Sequence, residues 1–245
     1  MREPHRERTL DHLRDSVEDA VGEAREAASD LAQSVKPRLR GWLHAAMAPI
    51  ALVAGLALVV FAPSQNGRIT AAVFTLTAFL LFFTSAVYHR GQWSPRVTAL
   101  LKRLDHSNIF LIIAGSYTPF ALLLPPDQAR TMLLLVWTGA IGGVLFRVLW
   151  VEAPRWLYVP VYVALGWVAV LYLGPLWTYG GAAVMGLIAL GGLLYTLGAV
   201  VYGVKGPNPS PRWFGFHEIF HALTILAFTA HYVAAAIVLH REAVA

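Results

Sequence analysis

The sequence predicts an all-α membrane protein: seven transmembrane helices, N-terminus cytosolic and C-terminus outside, preceded by a cytosolic amphipathic helix. Three observations predict it. Of 245 residues, 57% are hydrophobic and only 13% are charged, with a mean hydropathy of +0.58. A soluble domain usually carries about a quarter charged residues, so there is too little polarity to clothe a water-facing surface, and a soluble globular enzyme is excluded. From Trp42 onward, apolar runs of the length a span needs, about 20 residues, alternate with short polar breaks. Those runs are continuous rather than alternating apolar and polar, which argues against barrel strands. The chain has no cysteine, which excludes a disulfide framework, a thiolate zinc site, an iron–sulfur cluster and a cysteine nucleophile.

Two regions follow in order. Residues 1–40 hold 8 Lys plus Arg and 9 Asp plus Glu. Leu10, Leu13, Val17, Ala20, Ala24, Ala27 and Leu31 recur there at spacings of three and four, the period of a helix. This tail reads as a cytosolic amphipathic helix lying on the membrane surface or against a protein partner. A cleavable signal peptide is not expected, because a long charged stretch precedes the first apolar run. Residues 41–245 form the membrane domain, with spans at about 42–62, 69–89, 105–124, 131–150, 156–176, 180–203 and 217–239. The breaks between them carry turn formers: Pro63 to Gly67, Gly91 to Pro95, Pro125-Pro126-Asp127, Pro154, Gly174-Pro175, and Gly206 to Pro211.

Basic residues set the orientation. On one side lie Lys36, Arg38, Arg40, Arg90, Arg96, Lys102, Arg103, Arg147, Arg155, Lys205 and Arg212, eleven in all. On the other lie Arg68, Arg130 and Arg241, three. The bias places the N-terminus in the cytosol of a multi-pass plasma-membrane protein. The net charge of +5 is therefore a matter of topology, and no nucleic-acid partner is expected.

Outside the tail only five acids occur: Asp105, Asp127, Glu152, Glu218 and Glu242. Ionisable groups near the bilayer are costly, so their placement is informative. The second span ends at the cytosolic face with Ser85 and His89. The third begins there with Asp105 and His106, and the seventh with His217, Glu218 and His221. His217 and His221 are four apart, which puts them on one helix face about 5–6 Å apart. Two imidazoles so placed suit one zinc ion, and His89 is a candidate third ligand. Three protein ligands plus water is the pattern of a catalytic zinc site. Asp105 would then orient the water or accept its proton, and Ser85, one turn before His89, would hydrogen-bond a ligand or the substrate. His44, His106 and His240 are expected to meet the headgroup region, and His231, about 15 Å beyond His221, to bond between helices.

His217-Glu218-Ile219-Phe220-His221 also fits the H-E-x-x-H pattern of zinc proteases. An intramembrane protease would need a further acid from an Asp-Gly segment within the membrane. No Asp-Gly pair occurs, and Asp127 lies on the opposite side.

Three blocks carry a more specific resemblance: Ser85-Ala86-Val87-Tyr88-His89; Leu104-Asp105-His106-Ser107-Asn108-Ile109 running through to Ala114-Gly115-Ser116-Tyr117-Thr118-Pro119-Phe120; and Phe216-His217-Glu218-Ile219-Phe220-His221. In that order, and with Leu43-His44 in the first span, they resemble the hemolysin III family, the bacterial branch of the progestin and adipoQ receptor family, over residues 42–240. The resemblance implies seven helices with a cytosolic N-terminus. It implies zinc held by His89, His217 and His221, with Asp105 against the zinc-bound water and Ser85 in the S-x-x-x-H motif. Receptor-branch members have Gln at the position of Glu218, so that residue is not needed as a base.

Alkaline ceramidases are relatives in the wider superfamily. The expected function is accordingly a zinc-dependent hydrolase of lipid amide or ester bonds at the inner leaflet, with membrane lipids as substrate and an effect on membrane lipid homeostasis. Two other classes stand beside it. The family name implies a pore-forming, cytolytic channel, but no helix carries the full-length polar row of a water-filled conduit. A membrane sensor with purely structural zinc would require closed four-ligand coordination.

Overall fold

A computed structural model describes residues 37–241, together with Val17 and Val21. The expected amphipathic tail, apart from Val17, Val21 and its last four residues, lies outside the described residues. From Trp42 to Arg241 the described residues form seven α-helices: α1 (Trp42–Phe61), α2 (Gln65–Arg90), α3 (Pro95–Phe120), α4 (Pro126–Leu149), α5 (Arg155–Gly166), α6 (Leu173–Val204) and α7 (Phe216–Arg241), with 3₁₀ turns at Ala121–Leu123 and Trp167–Tyr172. The only strand-like feature among the described residues is an isolated bridge between Ser210 and Phe214.

The breaks work as local chemistry dictates. Ser64 accepts a hydrogen bond from the Gly67 amide at 2.8 Å and caps α2. Ser94 caps α3 with Pro95 at its first position, where a missing N–H costs nothing. That cap starts α3 ten residues before the expected 105, so the helix projects beyond the apolar run. Pro126 likewise takes the first position of α4, and Pro154 stands at the N-cap of α5, both helices opening without a side-chain cap.

Among the described residues, six segments are long and apolar enough to cross a membrane, one fewer than the seven spans expected. The expected spans 156–176 and 180–203 fall within one stretch, Arg155–Val204, of 50 residues. A straight helix of that length would reach about 75 Å, against an apolar bilayer core of about 30 Å. The chain instead doubles back. Gly181 leaves helical geometry at φ 70°, ψ 176°, a conformation open to glycine. Tyr158 and Tyr202 hydroxyls then meet at 3.1 Å, and Trp167 Nε1 donates to Thr196 Oγ1 at 3.0 Å.

Sequential helices pack side by side, and α7 closes against α1, α2 and α3. Small residues permit the close approaches: a Cβ on Gly115 would lie 2.0 Å from Thr77 Oγ1, and one on Gly143 would lie 2.3 Å from the Phe110 ring. Helix α3 touches α2, α4, α5 and α7, so it is the centre of the bundle and the natural bearer of polar side chains.

Candidate metal centre

The end of α2, the early turns of α3 and the start of α7 meet at one end of the bundle. There His89, His217 and His221 each offer a ligand atom, all within 4.8 Å of one another. His89 and His221 are buried and His217 is partly buried. His89 Nε2 and His217 Nε2 are 3.1 Å apart. Two nitrogens at 2.0–2.1 Å from a tetrahedral zinc would be separated by about 3.3 Å. The donor set is nitrogen-only and already converged, so these residues fit a metal ion.

Asp105 lies beside the set rather than in it. Its Oδ2 is 3.7 Å from His89 Nε2. Ser85, 1% exposed, borders the same cavity as Asp105.

His44 differs from expectation. Instead of facing headgroups it is 2% exposed and stacks on His221, rings 3.7 Å apart and 10° from parallel. Its ring nitrogens have no partner that meets hydrogen-bond geometry. Position alone gave no signal for this, because the residue starts α1 and only the tertiary approach of α7 and of Phe82 in α2 covers it. His106 is likewise drawn inward: Nδ1 pairs with the Lys102 carbonyl at 2.8 Å and Nε2 with the Tyr202 hydroxyl at 3.4 Å. His240 is exposed, and His231 reaches the Ile188 carbonyl at 3.3 Å, bridging α7 to α6 as expected.

Glu218 does not face the histidines' convergence. It is 1% exposed, with Oε2 accepting the Gly215 amide at 2.8 Å and Oε1 accepting from Arg40 Nε. Glutamate three residues into a helix reaching back to the preceding amide is the carboxylate half of a capping box. Both oxygens are engaged, so the protease-like pattern has lost its base to helix capping.

Arg40 belongs to a strap that sequence reasoning missed. Arg38 and Leu39 amides donate to the Arg212 and Trp213 carbonyls at 3.0 and 3.3 Å, tying the strap to the loop before α7. Gly41 follows at φ 80°, where a Cβ would sit 2.8 Å from that of His89. The strap therefore grips both halves of the histidine cluster. The Arg38-x-Arg40-Gly41 run was its only trace in the sequence.

The cluster opens into a long apolar cavity of about 280 Å³. Ser85, Asp105, His217 and His221 line one end, and Leu176, Met185 and His231 lie along the rest.

A family model described as "Haemolysin-III related" matches residues 32–232. Hemolysin-3 of Bacillus cereus is 30% identical over 182 residues, covering 72% of this chain and 83% of the relative. The hemolysin-3 homolog of Bacillus subtilis is 32% identical over 151 residues, covering 59% and 70%. An adiponectin receptor protein of Drosophila melanogaster is 28% identical over 189 residues, covering 69% of this chain and 42% of that protein.

Proposed function

This chain belongs to the haemolysin III-related family, and from that premise we propose that it is a zinc-dependent hydrolase of lipid amide or ester bonds at the inner leaflet of the plasma membrane. The observation that carries the reading is three converged histidines opening into an apolar cavity. Bound zinc supplies a Lewis acid able to activate water near neutral pH.

The chain's own residues supply the rest. His89, His217 and His221 hold the metal, and the nearby Asp105 accepts the proton of the attacking water, with Ser85 hydrogen-bonding a ligand or the substrate. The apolar walls take the acyl chain and exclude bulk water. Asp105 falls outside the mutually close set. That favours three protein ligands with an open position over the closed coordination of a structural site or sensor. The cytolytic reading, to which the relatives' name points, finds no support in the nearly unbroken apolar lining of the cavity. With the basic bias inside, the N-terminus is cytoplasmic, and the tail meets the membrane surface or a protein partner.

Metal analysis of detergent-purified protein tests this. We expect zinc at about one ion per chain, lost in His217→Ala/His221→Ala. The wild type should release fatty acid from lipid amides or esters. Folded wild-type protein without metal would overturn the reading.

A further inference from the structure

Two polar groups deep in the cavity remain unused by the metal site. His231 stands ten residues along α7 from His221, about 15 Å, and its ring sits where α6 makes room for it. A Cβ on Gly191 would come within 2.3 Å of the imidazole, so only glycine admits the ring. Phe120 meets it edge-on at 5.8 Å and Tyr195 at 5.6 Å between ring centres.

The hydrogen bonding there is incomplete in a specific way. His231 Nε2 pairs with the Ile188 carbonyl. A carbonyl can only accept, so Nε2 carries the hydrogen, and Nδ1 of the neutral ring is an acceptor. Nδ1 has no partner, and neither does the Tyr195 hydroxyl; both atoms are fully buried. An unmet acceptor and an unmet donor on one wall of an apolar cavity cost free energy unless something satisfies both. A hydroxyl does so alone: it donates to Nδ1 and accepts from Tyr195 Oη.

We infer that His231 and Tyr195 form a second, hydroxyl-recognising subsite, and that the preferred ligand is a long-chain lipid with a hydroxyl about 15 Å from the carbonyl at the histidine cluster. A plain alkyl chain would leave both groups unpaired, and a site built for a hydroxyl discriminates against the analogue that lacks it. The inference rests on the lipid-hydrolase reading and adds the substrate's chain chemistry.

The test uses full-length protein in detergent and compares binding of radiolabelled lauric acid and ω-hydroxylauric acid, models of the released product with comparable chain length. Wild type should favour the hydroxy acid about tenfold. Tyr195→Phe, which removes only the hydroxyl, should abolish the preference while lauric acid binds as before, and His231→Phe should do the same. Equal affinities in wild type, as a sealed water in the subsite would give, overturn the subsite and leave the lipid site standing. A preference that survives in both variants also overturns it. Failure of wild type to bind either acid overturns the subsite and the lipid reading together.

Discussion

Helices α2, α3 and α7 differ from α1, α4 and the Arg155–Val204 stretch in how they meet their surroundings. Within their most apolar windows the first three are 56%, 67% and 50% buried, and each of the others is 28% buried. Every side chain in the candidate site's polar cluster except His44 and the strap's Arg40 comes from the buried trio. Helix α3 has the lowest mean hydropathy, 1.2, and the greatest burial. In lipid, a polar side chain is tolerable only where protein surrounds it. A dip in hydropathy along a spanning helix therefore marks the inside of the bundle rather than a weak span.

The largest expected effect breaks that contrast at its chemical centre. Asp105→Asn should keep bound metal yet lower lipid hydrolysis by about 10²–10⁴-fold, measured as turnover beside metal content. Unchanged turnover would remove Asp105 from the chemistry. Next comes Arg40→Ala, which strands the buried Glu218 carboxylate. A cost of about 3–5 kcal/mol is expected, read as a lower unfolding temperature in detergent, with Arg40→Ala/Glu218→Gln recovering much of it. An unmoved transition would show that the strap does not hold α7.

A sharper probe uses two adjacent glycines of α4. A side chain on Gly143 runs into Phe110, whereas nothing lies within 4 Å of a Cβ on Gly142. Gly143→Leu should destabilise by about 1–3 kcal/mol and Gly142→Leu hardly at all. Equal effects would mean that α4 does not present one face to protein and the other to lipid.

The smallest effect belongs to the exposed rim. The Lys102 hydrogen bond, at 2.9 Å, holds the Glu152 carboxyl below its ordinary range. Its stabilisation is present at neutral pH and is lost as pH falls through the carboxylate range. The Glu152 side chain is 75% exposed, so solvent screens the pair. Glu152→Gln should leave the neutral-pH unfolding temperature unchanged within error, as a thermal melt will show.

Most helices were legible in sequence because each is an apolar run closed by its own punctuation, as Ser64 and Pro126 illustrate. The convergence of His89, Asp105 and His217 was legible because alternate crossings return the chain to the same end. Contacts between distant segments were not. Burial of His44 under His221 and the grip of Arg40 on Glu218 depend on the approach of α1 to α7, which no local pattern encodes. The reversal between the fifth and sixth spans was expected at Gly174-Pro175 and falls instead at Gly181: in a stretch that is apolar on both sides, a two-glycine corner leaves no dip in hydropathy to fix its position.

That corner has a consequence for how the protein enters its membrane. Between Arg155 and Lys205 there is no charged residue and no histidine. The far end of this hairpin, Gly180-Gly181, therefore carries nothing ionised through the hydrocarbon, and each charge so spared is worth about 2.5–3.5 kcal/mol on insertion scales. The two legs can partition together as a single hydrophobic hairpin, with Arg155 and Lys205 retained at the side where both legs began.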